Sequence, residues 1–265
     1  MSISSLTDSA NMKLTKIIID SDDRTSGTNT NFTYNLGTTI ENIRLINIRG
    51  IEFENLLYNI NDYQNSLIFV SPLGVTSNII LTNSIYSITR LSLALENELN
   101  AVADGNTVFK VNFDDYEKIT ISSVKGITPF SLNFTGATAI GDVLGIDANE
   151  YVGITSLTGN NPINLSYTKN LFIGSTTLGE NKFDEFIVSN GASNVIKHVD
   201  VRNNFGDILH DDEQTNINLR KEIPALTSID IKIVDDRNRL AQLNNASIVI
   251  SLDIYSRIYN NSFSI

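Results

Sequence analysis

The sequence has no cysteine and only two histidines, which excludes thiol catalysis and cysteine–zinc sites and leaves the histidines and the carboxylates as the first candidates for chemistry. His198 lies in an apolar run predicted as a strand, on a face shared with Ile196 and Asp200. His210 lies in an acid-rich segment that we interpret as a loop, where an imidazole beside carboxylates would titrate near neutral pH. We interpret His198 as a strand or interface residue and favour no metal or catalytic role for either histidine.

Two adjacent carboxylate pairs, Asp22–Asp23 and Asp235–Asp236, are the next candidates. Opposed carboxylates carry out glycoside hydrolysis, but they must face each other across a cleft. Neighbouring residues on a strand point to opposite sides, so adjacency brings no such geometry. We therefore interpret both pairs as parts of solvated turns.

Two acidic sets offer the oxygen ligands that a hard cation prefers. The first set is Asp20, Asp22 and Asp23, and the second is Asp207, Asp211, Asp212 and Glu213. Neither set has the spaced loop, with its glycine and terminal glutamate, that a calcium site of this kind uses. The sequence therefore predicts no catalytic, cofactor-binding or metal-binding residue, and no cofactor.

Composition narrows the class of function further. The formal net charge is −11, with 19 Lys and Arg against 30 Asp and Glu, which argues against direct nucleic-acid binding through phosphates. No apolar run is long enough to span a membrane, and no secretory signal is visible. The absence of cysteine favours folding in a reducing cytoplasm. Signature motifs of serine hydrolases, zinc proteases and P-loop proteins are also missing.

Alternation of apolar and polar residues with a period of two dominates the chain and predicts strands. It is clearest in residues 228–256, which we predict as two strands joined by a long loop. On each strand we predict one buried face and one wetter face, and the predicted buried positions are Ile229, Ile231, Ile233, Ile248, Ile250, Leu252 and Ile254. Segment 40–60 changes phase at Gly50, where we predict a β-bulge or a strand bend.

One helix is predicted, over residues 87–103. Its apolar residues recur at steps of three and four, which places them along one stripe of a helix. Ser87 is the predicted N-cap, and the Asp-Gly-Asn sequence at 104–106 provides the stop.

The strand-rich ends flank a middle block that mixes helix and strands, and no clean linker separates them. An insertion carried in a loop of one β-sandwich explains this order best. We predict a flexible N-terminal arm at 1–12, jelly-roll segments at 13–73 and 159–265, and an inserted α+β domain at 74–158. The predicted fold class is mainly β, a single jelly-roll β-sandwich with an inserted α+β domain.

Several segments, in the same order along the chain, resemble segments of capsid proteins of eukaryotic double-stranded DNA viruses, a group that includes virophages, polinton-like elements and large nucleocytoplasmic viruses. The first are 17–24 (IIIDSDDR), 31–36 (NFTYNL), 40–43 (IENI), 51–53 (IEF) and 57–60 (LYNI). Further along are 86–88 (YSI), 118–121 (KITI), 144–146 (LGI), 229–235 (IDIKIVD) and 248–252 (IVISL). The resemblance extends over about residues 13–256.

Within this group the resemblance and the length imply a penton, the protein of the five-fold vertices, since major capsid proteins carry two jelly rolls in tandem. It implies a vertical jelly roll, an outward-facing inserted domain, and a homopentamer without enzymatic activity. The implied partners are the major capsid protein and minor capsid proteins, with no direct nucleic-acid contact and no membrane span. The implied location is the virion, after folding in the host cytoplasm.

Two alternatives stay open. A minor capsid or spike-like, receptor-binding β-domain would expose a cluster of aromatic and polar side chains in the insertion. An enzyme on a β-scaffold would instead need opposed carboxylates in a cleft. Under the capsid interpretation, we expect acidic segments 211–213 and 235–236 to pair with basic patches on neighbouring capsomers.

Overall fold

The computed structural model describes residues 11–125, 128–166, 168–180, 182 and 191–259. Most of the predicted arm, residues 1–12, lies outside this part of the chain, and the first strand begins at Met12.

Most of the secondary-structure elements are strands. They are β1 (Met12–Asp20), β2 (Ser26–Thr28), β3 (Asn31–Glu54), β4 (Ser66–Val70), β5 (Thr76–Ile80), α1 (Ile88–Val102), β6 (Val108–Phe113), β7 (Ile119–Lys125), β8 (Phe130–Asn133), α2 (Gly141–Leu144), β9 (Glu150–Ile154), β10 (Ser156–Thr158), β11 (Asn170–Gly174), α3 (Thr176–Gly179), β12 (Val195–Asp200), β13 (Ile208–Asp211), β14 (Thr215–Val234) and β15 (Ile248–Arg257). A short 3₁₀ helix, Ser21–Asp23, follows β1.

The chain forms two compact units. The first combines Met1–Leu57 with Thr168–Ile265, and the second is Tyr58–Tyr167. The limits predicted for the insertion, 74 and 158, both fall inside the second unit. Leu67 and Phe69, which the prediction placed before the insertion, are buried in the core of the second unit.

Strand pairing divides the first unit into two antiparallel layers. The first layer has the order β1, β15, the C-terminal half of β3, and then β13 with the start of β14. The second layer has the order β2, N-terminal half of β3, C-terminal half of β14, β11 and β12. The long strands β3 and β14 pass through both layers, and their pairing shifts where they do so. Two antiparallel layers with this order form a jelly roll, which confirms the predicted fold class.

Alternating aliphatic side chains fill the space between the layers. The inward positions predicted on the last two strands are all buried: Ile229, Ile231, Ile233, Ile248, Ile250, Leu252 and Ile254. Each such burial stabilises the fold by roughly 1.5–3 kcal/mol. The prediction that the intervening positions on β15 are wetter is wrong at Asp253, which is only 5% exposed. Arg49 lies beside it, with Nε 3.6 Å from the Asp253 carboxylate.

The predicted irregularity at Gly50 is confirmed. On the β15 side, Ser251 pairs with Gly50 but Leu252 pairs with Ile48, so Arg49 is the extra residue of a bulge. The bulge accounts for the change of phase seen in the sequence.

The second unit is α+β. Its strands form two sheets, β5-β4-β8-β9 and β10-β7-β6. Helix α1 presents Leu91, Leu95 and Leu99 to the core, each 0% exposed. The predicted cap is confirmed, because the Ser87 hydroxyl accepts a hydrogen bond from the Arg90 amide at 3.3 Å. In the described part of the chain, no helix is both long and apolar enough to cross a bilayer.

Candidate assembly surface

His198 lies on β12, which confirms the predicted strand. Its ring stacks on Phe172 with the centroids 5.3 Å apart, and its Nε2 lies 2.8 Å from Asn170 Oδ1. The prediction that His198 shares a face with Ile196 is wrong. The pairing of β11 with β12 shifts by one residue at this point, so Ile196 is buried whereas His198 and Asp200 are exposed.

The prediction that His210 lies in a loop is wrong, because His210 lies on strand β13. The segment forms a strand because it pairs with the end of β3, and this places Leu209 in the core with His210 outside. The His210 Nδ1 atom is 3.3 Å from the Glu52 carboxylate, with both side chains more than half exposed. A contact between two side chains that are this exposed to water contributes little to the stability of the fold.

The two acidic sets considered as cation ligands make different local contacts. Asp20 accepts a hydrogen bond from the Asp22 amide at 2.9 Å and so caps the 3₁₀ helix that follows β1. Asp22 lies 3.8 Å from Arg24. In the second set, the Asp211 carboxylate pairs with Lys197 of β12. Across the described residues, no three His, Asp or Glu side chains come together in a way that could hold a metal ion.

Lys197 is buried, with only 2% of its surface exposed. Its Nζ donates to Asp211 Oδ1 at 3.0 Å and to the Glu213 carbonyl at 2.5 Å. The pair joins β12 of the second layer to β13 of the first layer. Lys197 follows Val195 and precedes Val199 with a spacing of two, a pattern that favours an inward position and that the sequence analysis missed.

The interpretation of Asp235 as a solvated turn residue is wrong. Asp235 is 4% exposed, and its carboxylate accepts from Arg239 Nε at 2.9 Å and from the amides of Arg237 and Arg239. Asp236 accepts from the amides of Lys169 and Asn170, and therefore ties this turn to the start of β11. Internal bonds thus engage both carboxylates that were expected to meet a partner.

Strand β1 forms one edge of the first layer. Among the described strands it pairs only with β15, so the backbone groups on its other side have no strand partner there. Lys13 and Lys16 are exposed on it. Two apolar side chains beside them are also exposed, Leu14 at 44% and Ile18 at 67%. We call this surface, residues 12–20, the β1 edge.

The opposite edge of the same layer is formed by β13 and its flanking residues. Among the described strands β13 pairs only with β3. Asp207, Asp212 and Glu213 are exposed here, and Ile208 is 56% exposed. We call this surface, residues 207–213, the β13 edge. Each edge therefore exposes backbone groups without a strand partner, apolar side chains and charged side chains.

An open cleft of about 600 Å³ adjoins the β13 edge. Its wall includes the carboxylates of Asp22, Glu52 and Glu54 and the apolar side chains of Ile208 and Val249. Glycoside hydrolysis would need one carboxyl group kept protonated by an apolar, shielded pocket. Since the Glu52 side chain is 52% exposed in an open cleft, this geometry fits contact with basic groups better than acid–base chemistry.

No protein-family model matches the sequence, and no curated protein does so. Among solved structures, the chain is similar to the crystal structure of the selenomethionine-labelled penton protein of mavirus. The TM-score is 0.44 and the identity 10%, over 93% of this chain and 99% of the mavirus chain. Both values are low, and the evidence for the jelly roll is the strand pairing.

Proposed function

We propose that this chain is a structural capsid protein, a penton subunit that forms homopentamers at the icosahedral vertices of a double-stranded DNA virus. The observation that carries the proposal is a single jelly roll whose sandwich is completed by the two ends of the chain around a separate α+β unit. Jelly rolls are a recurrent fold of viral capsid subunits. The ordered resemblance of ten segments to capsid proteins of this virus group supports the same function.

The proposed work of the protein is association, without catalysis. Its partners are four further copies, the major capsid protein and minor capsid proteins, and its location is the virion. A ring of five arises when each copy presents one surface to the next and a different surface to the previous one. The first layer of the jelly roll has two edges of different chemistry, which suits such a ring.

The oligomeric state of the purified chain tests the proposal. Native mass spectrometry and sedimentation should show a discrete species of five copies. A stable monomer at high protein concentration would contradict the pentamer, and a trimer would favour the alternative of a spike or another capsomer. Sugar hydrolysis that disappears in Glu52→Gln would contradict the proposal of a non-enzymatic protein.

One observation favours the receptor-binding alternative. At the turn between β6 and β7 in the second unit, Tyr116 is 78% exposed and Phe113 is 44% exposed. Asp114 and Asp115 lie between them. Exposed aromatic and polar side chains in the insertion are what a receptor-binding surface requires, and a penton with such an insertion would serve both functions.

A further inference from the structure

We infer that the β1 edge of one copy docks against the β13 edge of the next, as the heterologous contact that closes the ring. The inference rests on the proposed function and names the surfaces that the proposed pentamer uses. The occupant of each edge is therefore a second copy of this chain.

Open strand edges are the first argument. A strand with unpaired amide and carbonyl groups is a template for another strand, and soluble proteins protect such edges unless they are used. The β1 edge and the β13 edge are the two outer strands of one four-stranded layer. Both are open among the described residues, so each can accept one further strand.

Strand direction is the second argument. Successive strands of the layer, β1, β15, β3 and β13, are all antiparallel to their neighbours, so β1 and β13 run in opposite directions. Rotating a copy about an axis parallel to the strands keeps these directions. It therefore brings β1 beside the neighbour's β13 in the antiparallel arrangement, which is the more stable pairing. Five such steps use the same contact each time.

Charge is the third argument. The β1 edge carries the exposed Lys13 and Lys16, whereas the β13 edge carries the exposed carboxylates of Asp207, Asp212 and Glu213. In a chain of net charge −11, two arbitrary surfaces repel each other, so a basic strand is a selective partner for an acidic one.

Apolar exposure is the fourth argument. Ile18 on the β1 edge and Ile208 on the β13 edge are 67% and 56% exposed, and Leu14 adds a third side chain at 44%. Burying them against each other would release water and provide the apolar centre that stable interfaces have. The charged side chains then form the rim.

The test is a charge exchange in the full-length chain. Lys13→Glu with Lys16→Glu makes both edges acidic, and we expect association at least about tenfold weaker than in the wild type. Adding Asp212→Lys with Glu213→Lys in the same chain exchanges the signs of the two edges, and we expect the pentamer to return. The exchange is placed in one chain because a ring of five cannot alternate two kinds of subunit.

The matched control is Lys169→Glu with Lys232→Glu, which changes the net charge equally at exposed positions outside both edges. Circular dichroism checks that each variant folds, and native mass spectrometry over a dilution series measures association. A wild-type pentamer that survives the edge reversal, or a control that dissociates equally, overturns the inference but leaves the proposed function intact. A monomeric wild type overturns both. If the variant that carries all four substitutions does not form the pentamer again, the inference is also overturned.

Discussion

Replacing the buried Lys197 by methionine should destabilise the jelly roll strongly. Methionine keeps most of the apolar stem but removes the ammonium group, which donates to Asp211 at 3.0 Å and to the Glu213 carbonyl. The Asp211 side chain, only 15% exposed, then keeps its charge in a poorly hydrated place with one donor fewer. Removing one partner of a buried ion pair costs about 3–5 kcal/mol.

The lower end of that range applies here, because Asp211 retains the Glu213 amide as a donor at 3.0 Å and touches water. We therefore expect Lys197→Met to lower the free energy of unfolding by about 3 kcal/mol, equivalent to a fall in Tm of roughly 6–12 °C. Urea unfolding followed by far-ultraviolet circular dichroism measures the change. All variants must be compared at one protein concentration, since oligomerisation stabilises the folded state.

The matched control is Lys232→Met, since Lys232 is a strand lysine that is exposed. A surface substitution of this kind should stay within about 0.5 kcal/mol of the wild type. The double variant Lys197→Met with Asp211→Leu should recover part of the loss, because it leaves no buried charge unpaired. Equal stabilities of the two methionine variants would refute the argument that the Lys197 ammonium joins the two layers.

Two further predictions concern the same unit. Burial raises the pKa of Asp230, but the hydrogen bonds that it accepts from Thr177 and its neighbours outweigh this and hold the pKa below 3.8. The resulting stabilisation is present at neutral pH and disappears as the pH falls below about 4, so acid titration should narrow the stability gap between the wild type and Asp230→Asn. Gly27→Ala should cost more than about 2 kcal/mol in urea unfolding, since φ is +95° and a Cβ would lie 2.1 Å from the Asn31 carbonyl oxygen. Gly37→Ala, at φ +66° in open space, should cost only about 1–2 kcal/mol, and equal costs would contradict the steric argument.

The alternation of apolar and polar residues, together with the residues that cap helices and form turns, predicts those parts of this fold that depend on local sequence. The isoleucines of β14 and β15 are inward because alternation over many residues fixes which face is apolar. The start of α1 follows from Ser87, since a capping hydroxyl satisfies a free amide regardless of tertiary contacts. The bulge at Gly50 follows from the change of phase alone.

Most of the features that the sequence analysis missed depend on partners distant in the chain. Alternation shows that Leu67 and Phe69 are inward, but it does not show which of two cores they enter. β13 is only four residues long and has acidic residues on both flanks, so alternation does not reveal it; it becomes a strand because the end of β3 offers it an edge. Asp235 differs, because the partners that make its burial favourable are local: Arg239 and the amides of Arg237 and Arg239 lie in its own loop.

The assembly surface lies between these two cases, because its residues are visible in the sequence but their pairing is not. Contact between two β1 edges would place Lys13 and Lys16 near the same lysines, and contact between two β13 edges would place carboxylates against carboxylates. Like charges directly opposite each other on strands are destabilising. Of the three pairings that the two edges allow, only the contact between unlike edges joins opposite charges. Specificity here therefore comes from repulsion in the wrong pairs as much as from attraction in the right one. The β1 edge and the β13 edge lie on opposite sides of one layer, so a single contact between two copies leaves one edge of each copy open. Association through this contact therefore continues to a ring or a filament.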